Sequence, residues 1–398
     1  MKKIQRYIIL LLTIGLATGC VEQYALQSSD FESALVIEAT LTNELKTQEV
    51  KLSRTFRLEE DGPQPESGAQ VSISDDQGDV YNFTEIDGVY RSNEEFSAES
   101  GKNYTLEIVT TDGKTYRSHP EMLTTATELD DLVATVGTVQ GERGVKINAK
   151  AFDPANTSKY YRYEYMETYK IIAPYWSFFR ALRLPEGPGI EDDQIQIIPR
   201  EPGETKTCFN TVFSNDIIQT STNTLSEDRV DFTVRFISDR NPIITNRYTI
   251  LVRQYVQSLP AYMFYKTLKE LSGQGSILSQ NQPGFFYGNI RSVENPAEKV
   301  IGFFEVASVS SKRIYFNYTD LFPDDPIPPY FIDCTPSVFK FCFIPTDMEC
   351  RGGALLSAIS SNSLLYVAEE NNYYTMVPPP CGDCTNLGSN IVPAFWQD

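Results

Sequence analysis

Period-two alternation of apolar and polar residues, broken at short intervals by turns, limits this chain to β architectures. Leu35, Ile37, Ala39 and Leu41 fall on one side of an extended segment, with Glu38, Thr40 and Thr42 on the other. That is the pattern of a half-buried strand. Further strands are expected over residues 49–55, 69–74, 79–85, 104–111 and 114–118. Between them stand Asp75-Asp76-Gln77-Gly78, Asp87-Gly88 and Asp112-Gly113, and Asp-Gly pairs supply the positive φ that tight hairpin turns need. Short strands at this spacing, with no helical stretch, build a small Ig-like β-sandwich over residues 34–125. It would serve as a spacer or docking domain.

A second strand series predicts a larger β-sandwich-like domain over residues 126–322. Its clearest strands are residues 145–151, 160–169, 230–238 and 247–257. Val230, Phe232, Val234 and Phe236 alternate plainly. One helix is expected at residues 259–272, where Ser258 can cap it, Pro260 suits its first turn and Gly273 can end it. Ala261, Phe264, Leu268 and Leu271 recur at helical spacing and give it a buried stripe. Strands return over residues 284–290, 299–308 and 313–318. Residues 323–398, rich in Pro and Cys and weakly periodic, read as an irregular cap pinned by disulfides. The fold class is mainly β: an N-terminal β-sandwich, a larger sandwich-like domain with one helix, and a Cys/Pro-rich C-terminal cap.

The N-terminus carries a different signal. Lys2, Lys3 and Arg6 precede an apolar run at residues 7–16, closed by Ala17-Thr18-Gly19-Cys20. Charge, apolar run and small residues in that order mark a secretory signal. The run is about half of the roughly 20 residues that a spanning helix needs. A cysteine after Gly19 is the pattern of a bacterial lipoprotein signal, with residues 1–19 removed and Cys20 acylated. Buried acyl chain contributes about 0.8 kcal/mol per CH2, and several chains together hold firmly. Residues 20–33, polar and unpatterned, then form a tether.

The net charge of −19 becomes about −22 once Lys2, Lys3 and Arg6 leave with the signal. So acidic a body repels nucleic acid and anionic lipid faces, and neither is expected as a partner. Of seven cysteines, Cys208, Cys334, Cys342, Cys350, Cys381 and Cys384 remain beside Cys20. An even remainder in an exported chain suggests disulfides rather than metal, with the pairing left open. The one histidine, His119, is far from them, and no metal or cofactor is expected.

That histidine also restricts catalysis, because Ser-His-Asp or Cys-His systems would have to use it. Beside Pro120, at the end of an expected strand, it reads as an exposed loop residue. Asp75-Asp76, Asp130-Asp131, Asp192-Asp193 and Asp324-Asp325 resemble acidic turns more than glycosidase or calcium sites. Cys381-Gly382-Asp383-Cys384 has redox spacing, yet it follows Pro378-Pro379-Pro380 with no strand–helix unit around it, so a structural disulfide is the better reading. Tyr161, Tyr163, Tyr165 and Tyr169 share a strand face, read as half-buried sheet packing, with a sugar-stacking platform as the alternative. Residues 171–184 (IIAPYWSFFRALRL) are too apolar for an ordinary loop. Exposed they would be a partner-binding patch, and folded inward a lid over the core. Tyr165, Tyr175, Trp176, Phe178, Phe179 and Arg180 are therefore the candidate contact residues.

The chain resembles a family of Bacteroidota lipoproteins, domain-of-unknown-function family 4249. The resemblance rests on Cys20, LVIEATLTNE (residues 35–44), VKLSRTF (50–56), SGAQVSISDDQG (67–78) and YMFYKTLKEL (262–271). It continues through GNI (288–290), IGFFEVASVSSKRIYF (301–316) and the ending CGDC to PAFW (381–396). It implies an outer-membrane lipoprotein paired with a TonB-dependent transporter, and it brings no catalytic residues. Val21-Glu22-Gln23-Tyr24 holds a single acid, a weak form of that phylum's acidic surface-export signal. The cell surface is the preferred side, with the periplasmic face left open. The expected function is a non-enzymatic accessory subunit of a TonB-dependent, SusC-like barrel, in ligand capture or complex stabilisation. The alternative is a surface glycan-binding module or a carboxylate-dependent glycoside hydrolase.

Overall fold

The structure, a computed structural model, describes residues 33–56, 60, 62–184, 194–200, 205–273, 287–342 and 352–398. The expected signal, Cys20, the tether up to residue 32 and Cys350 lie outside the described residues. The chain is mainly β. The first unit contains β1 (Leu35–Thr42), β2 (Glu49–Arg54), β3 (Gln64–Pro65), β4 (Gln70–Asp75), β5 (Val80–Ile86), β6 (Val89–Ser92), β7 (Asn103–Val109), β8 (Thr115–Ser118) and β9 (Glu121–Met122). In β1 the alternation does what the sequence asks, burying Leu35, Ile37, Ala39 and Leu41. The Asp87-Gly88 pair turns β5 into β6 with φ of 52° and 77°, a conformation that aspartate tolerates better than most residues and glycine adopts without penalty.

The second unit contains β10 (Asp131–Val139), β11 (Glu142–Asp153), β12 (Tyr160–Ile172), β13 (Phe179–Leu184), β14 (Gln194–Pro199), β15 (Thr207–Phe213), β16 (Ile218–Ser221), β17 (Asp228–Ser238) and β18 (Arg247–Val256). Helix α1 (Leu259–Gly273), β19 (Ile290–Ser292) and β20 (Val300–Asn317) follow. The sheet β10-β11-β17 faces the layer β15-β12-β18-β20 across a common core that includes Ile147, Val230, Tyr163, Ile250 and Val252. This is the two-layer packing of a sandwich.

Strand β20 joins the two units. Its first half pairs in parallel with β1, from Leu35 opposite Val300 to Thr42 opposite Ala307. Its second half pairs antiparallel with β18, from Val256 opposite Ser308 to Arg247 opposite Asn317. Phe304 and Val306 lie in the first core, and Phe316 lies in the second. Likewise β19, late in sequence, pairs with β8 at the far end of the first sheet. That sheet folds over until its ends meet, and the Asn289 side chain bridges them. Asn289 Oδ1 accepts the Phe304 N–H at 2.8 Å, and its Nδ2 donates to the Phe304 carbonyl at 2.9 Å and to Glu121 Oε1 at 2.8 Å. A Cβ on the preceding Gly288 would lie 1.6 Å from the Gly302 carbonyl oxygen, so only glycine permits the approach.

The helix forms where its caps predict. Ser258 Oγ accepts the Ala261 N–H at 3.3 Å, and Ala261 and Phe264 are buried against Phe303. Beneath it lies the buried Arg162, whose guanidinium contacts Glu305 at 3.0 Å and Glu164, and stands 4.3 Å from the Tyr255 ring.

The C-terminal cap is more regular than its sequence suggests. After the short α2 (Tyr318–Leu321) come β21 (Ser337–Lys340), helix α3 (Gly353–Ser361), β22 (Leu365–Glu370), β23 (Tyr373–Val377) and the single turn α4 (Pro379–Gly382). They enclose a core of Phe341, Leu355, Leu356, Ile359, Tyr366 and Met376. Helix α3 is short and apolar, and Gly352 precedes it without a side-chain cap. A reading based on capping residues and periodicity passes over such a helix. Among the described residues, no helix is long and apolar enough to cross a membrane.

Candidate functional site

Two disulfides fix the ground on which the site stands. Cys208 at the start of β15 bonds Cys384, and Cys334 bonds Cys381, with Cα separations of 5.6 and 5.7 Å. Cys342 is also disulfide-bonded. Cys381-Gly382-Asp383-Cys384 is therefore a structural element, with each sulfur turned to a different part of the chain. Tyr330 adds a hydrogen bond from its hydroxyl to the Pro380 carbonyl at 2.9 Å.

The apolar stretch beyond β12 is built on that ground. The Ala173 N–H donates to the Lys206 carbonyl, and the Tyr175 N–H donates to the Cys381 carbonyl, both at 2.9 Å. The Arg200 N–H donates to the Phe178 carbonyl at 2.7 Å. Trp176 is half-buried against the second core, donates Nε1–H to Thr205 Oγ1 at 3.1 Å, and carries the Lys206 ammonium 5.7 Å from its ring. Phe178 packs edge-on to Trp176 at 4.5 Å between centroids, yet remains 63% exposed, with Phe179 at 49% and Tyr175 at 37%. These exposures decide between patch and lid, because the aromatic side chains lie on the surface while their backbone is held at several points.

From Phe179 the chain enters β13, which pairs with β14. In sequence, residues 179–184 run on as part of one apolar stretch, and no hairpin is expected there. Ala181, Ile195 and Ile197 of the hairpin pack on the core of the cap. Between hairpin and cap lies a cavity of about 470 Å³. Arg180, Arg200, Thr205 and Asp383 line it together with apolar groups such as Leu365 and Met376. Arg200 Nη1 donates to Thr205 Oγ1 at 3.1 Å and to the Gly382 carbonyl at 3.4 Å, with Asp383 4.0 Å away. Burial pushes the Arg200 pKa below the usual arginine value; Asp383 opposes that shift and Arg180 adds to it.

The structure thus gathers Tyr175, Trp176, Phe178, Phe179 and Arg180 on one rim. Tyr165 is not among them. It sits half-buried on the core side of β12, with the Arg235 guanidinium 5.7 Å from its ring. Tyr161, Tyr163 and Tyr169 are buried on the same side, so the tyrosine face is sheet packing. His119 is exposed, and Asp75 is buried against Lys102 at 3.0 Å as a turn anchor. Asp192 and Asp193 lie outside the described residues. Arg200 and Asp383, which the sequence reading misses, are 183 positions apart and belong to no spacing motif.

Residues 21–313 match the family described as Domain of unknown function (DUF4249). The chain belongs to the DUF4249 family. Within this DUF4249 chain the matched span ends inside β20, so it covers both sandwich units, the rim and the hairpin β13–β14. The C-terminal cap, which supplies the other wall of the cavity, follows the matched residues. No curated protein matches the chain.

Proposed function

We propose that this protein is a non-enzymatic, lipid-anchored binding protein of the outer membrane. Cys20 carries the lipid, and the rim of Tyr175, Trp176, Phe178, Phe179 and Arg180 docks on the barrel of a TonB-dependent transporter. Its task is ligand capture or steadying of the complex on the cell-surface side. The observation that carries this reading is the combination of exposure and fixation at the rim. Phe178 and Phe179 are 63% and 49% exposed, while their segment is pinned to the disulfide-held Cys381 and to Arg200. Aromatic side chains held in place before binding lose little conformational freedom on docking, and such residues dominate interface energetics.

The test is co-fractionation in mild detergent from cells fed labelled palmitate. The wild-type chain should carry the label and migrate with an outer-membrane barrel. The double variant Phe178→Ala/Phe179→Ala should keep the label and migrate alone. A wild-type chain that is unlabelled, or that runs as a monomer, overturns the reading.

A further inference from the structure

The rim borders a cavity whose charge is out of keeping with the rest of the molecule. The whole chain carries −19, and its other arginines mostly face carboxylates, as Arg54 does Glu66, Arg117 does Glu107 and Arg235 does Glu167. At the cavity this pattern lapses. Arg180 and Arg200 line the same space of about 470 Å³, close enough for the charge of one to disfavour that of the other. Among the described residues Arg180 has no ion pair. Among the described residues, the one carboxylate in contact with Arg200 is that of Asp383, at the 4.0 Å limit. Arg200 Nε is buried with no hydrogen-bond partner. A guanidinium withdrawn from water without full compensation is costly, and a carboxylate or phosphate is the group whose geometry satisfies it. The remaining wall sets apolar groups, Ile359, Leu365 and Met376, beside the amides of Asn362 and Asn386. The volume lies in the range of small-molecule sites, roughly 300–1,000 Å³.

The geometry points to a binding site for a small amphipathic anion, its carboxylate or phosphate head between Arg180 and Arg200 and its apolar body against Leu365 and Met376. This deepens the ligand-capture reading above and shares Arg180 with the rim, but it rests on the cavity and not on Phe178 and Phe179, so the two can fail separately. Calorimetric titration of the full chain would use 4-phenylbutyrate and phenyl phosphate, with 4-phenylbutanol as the neutral control.

Both anions should bind, the alcohol at least about tenfold more weakly, a gap typical of charge-assisted hydrogen bonding. The tighter of the two anions identifies the head group. Arg180→Gln and Arg200→Gln should each weaken anion binding about tenfold or more, while Phe178→Ala/Phe179→Ala leaves it unchanged and loses only the barrel. Arg200 also holds Thr205 and Gly382, so Arg180→Gln, at an exposed position, keeps the test intact if Arg200→Gln misfolds. Equal binding of the alcohol, unaltered affinity in Arg180→Gln, or no binding of any probe overturns the assignment.

Discussion

Replacing Asn289 with alanine tests how the two units are tied together. Its amide meets both the N–H and the C=O of Phe304, at 2.8 and 2.9 Å, and Phe304 is fully buried. Truncation leaves both backbone groups without partners beside the seam where the first sheet closes. An orphaned buried polar group costs about 1–3 kcal/mol, so the two together should cost about 2–6 kcal/mol, the lower end applying if water enters the gap. Asn289→Asp sharpens the test. Its carboxylate can still accept the Phe304 N–H, but it turns negative charge towards the Phe304 carbonyl and Glu121. At neutral pH this variant should be no more stable than the alanine variant, and it should recover as acid protonates the new side chain. The assay is equilibrium unfolding in guanidinium, with amide exchange at Phe304 to locate the change. A loss below about 1 kcal/mol in Asn289→Ala, with Phe304 still protected, would refute the reasoning, since two unpaired buried groups cannot cost so little.

Removing the Cys334–Cys381 bridge with a double serine variant should lower stability by about 4 kcal/mol, from the loop of 47 residues it closes; it should also speed amide exchange at Tyr175, and a rim as well protected as before would show that the bridge does not hold it. Asp153 gives a pH signature. Burial acts to raise its pKa, but the backbone N–H groups of Ser158 and Thr157, the Thr157 hydroxyl and the Ala155 N–H outweigh it and hold the pKa at about 2. A carboxyl depressed on folding stabilises the protein above its unfolded pKa, and that stabilisation fades as pH falls through the folded value. The wild type should therefore lose more stability than Asp153→Asn between pH 4 and pH 2, and parallel profiles would count against this account of the loop.

Local pattern made much of the fold legible. Leu35 to Leu41 alternate as their burial requires, and the capping and spacing around Ser258 and Phe264 mark the long helix. Pairing across distance was not legible. Nothing in residues 299–318 shows that their first half belongs beside Leu35 and their second beside Arg247, because each half alternates well enough for either sheet. The tyrosines of β12 share a face by periodicity, but periodicity does not say that this face is the inner one. Tyr165 therefore looks in sequence like Tyr175, yet packs on the core. The rim stood out as an apolar excess in residues 171–184, whereas its exposure depends on contacts to Cys381 and Arg200 made only after folding. Arg200 and Asp383 carry no local signal, and the cap that brings them together consists of short strands and a helix without a side-chain cap.

The most direct test of the central claim is site-specific photo-crosslinking in intact envelopes, with a benzophenone side chain in place of Phe178 and, as control, in place of Leu45. Leu45 is 71% exposed on the first unit, away from the rim. Crosslinking from position 178 to an outer-membrane barrel, with none from position 45, is the expected result. No crosslink at 178, or the same products from both positions, would contradict the assignment of the rim as the docking surface.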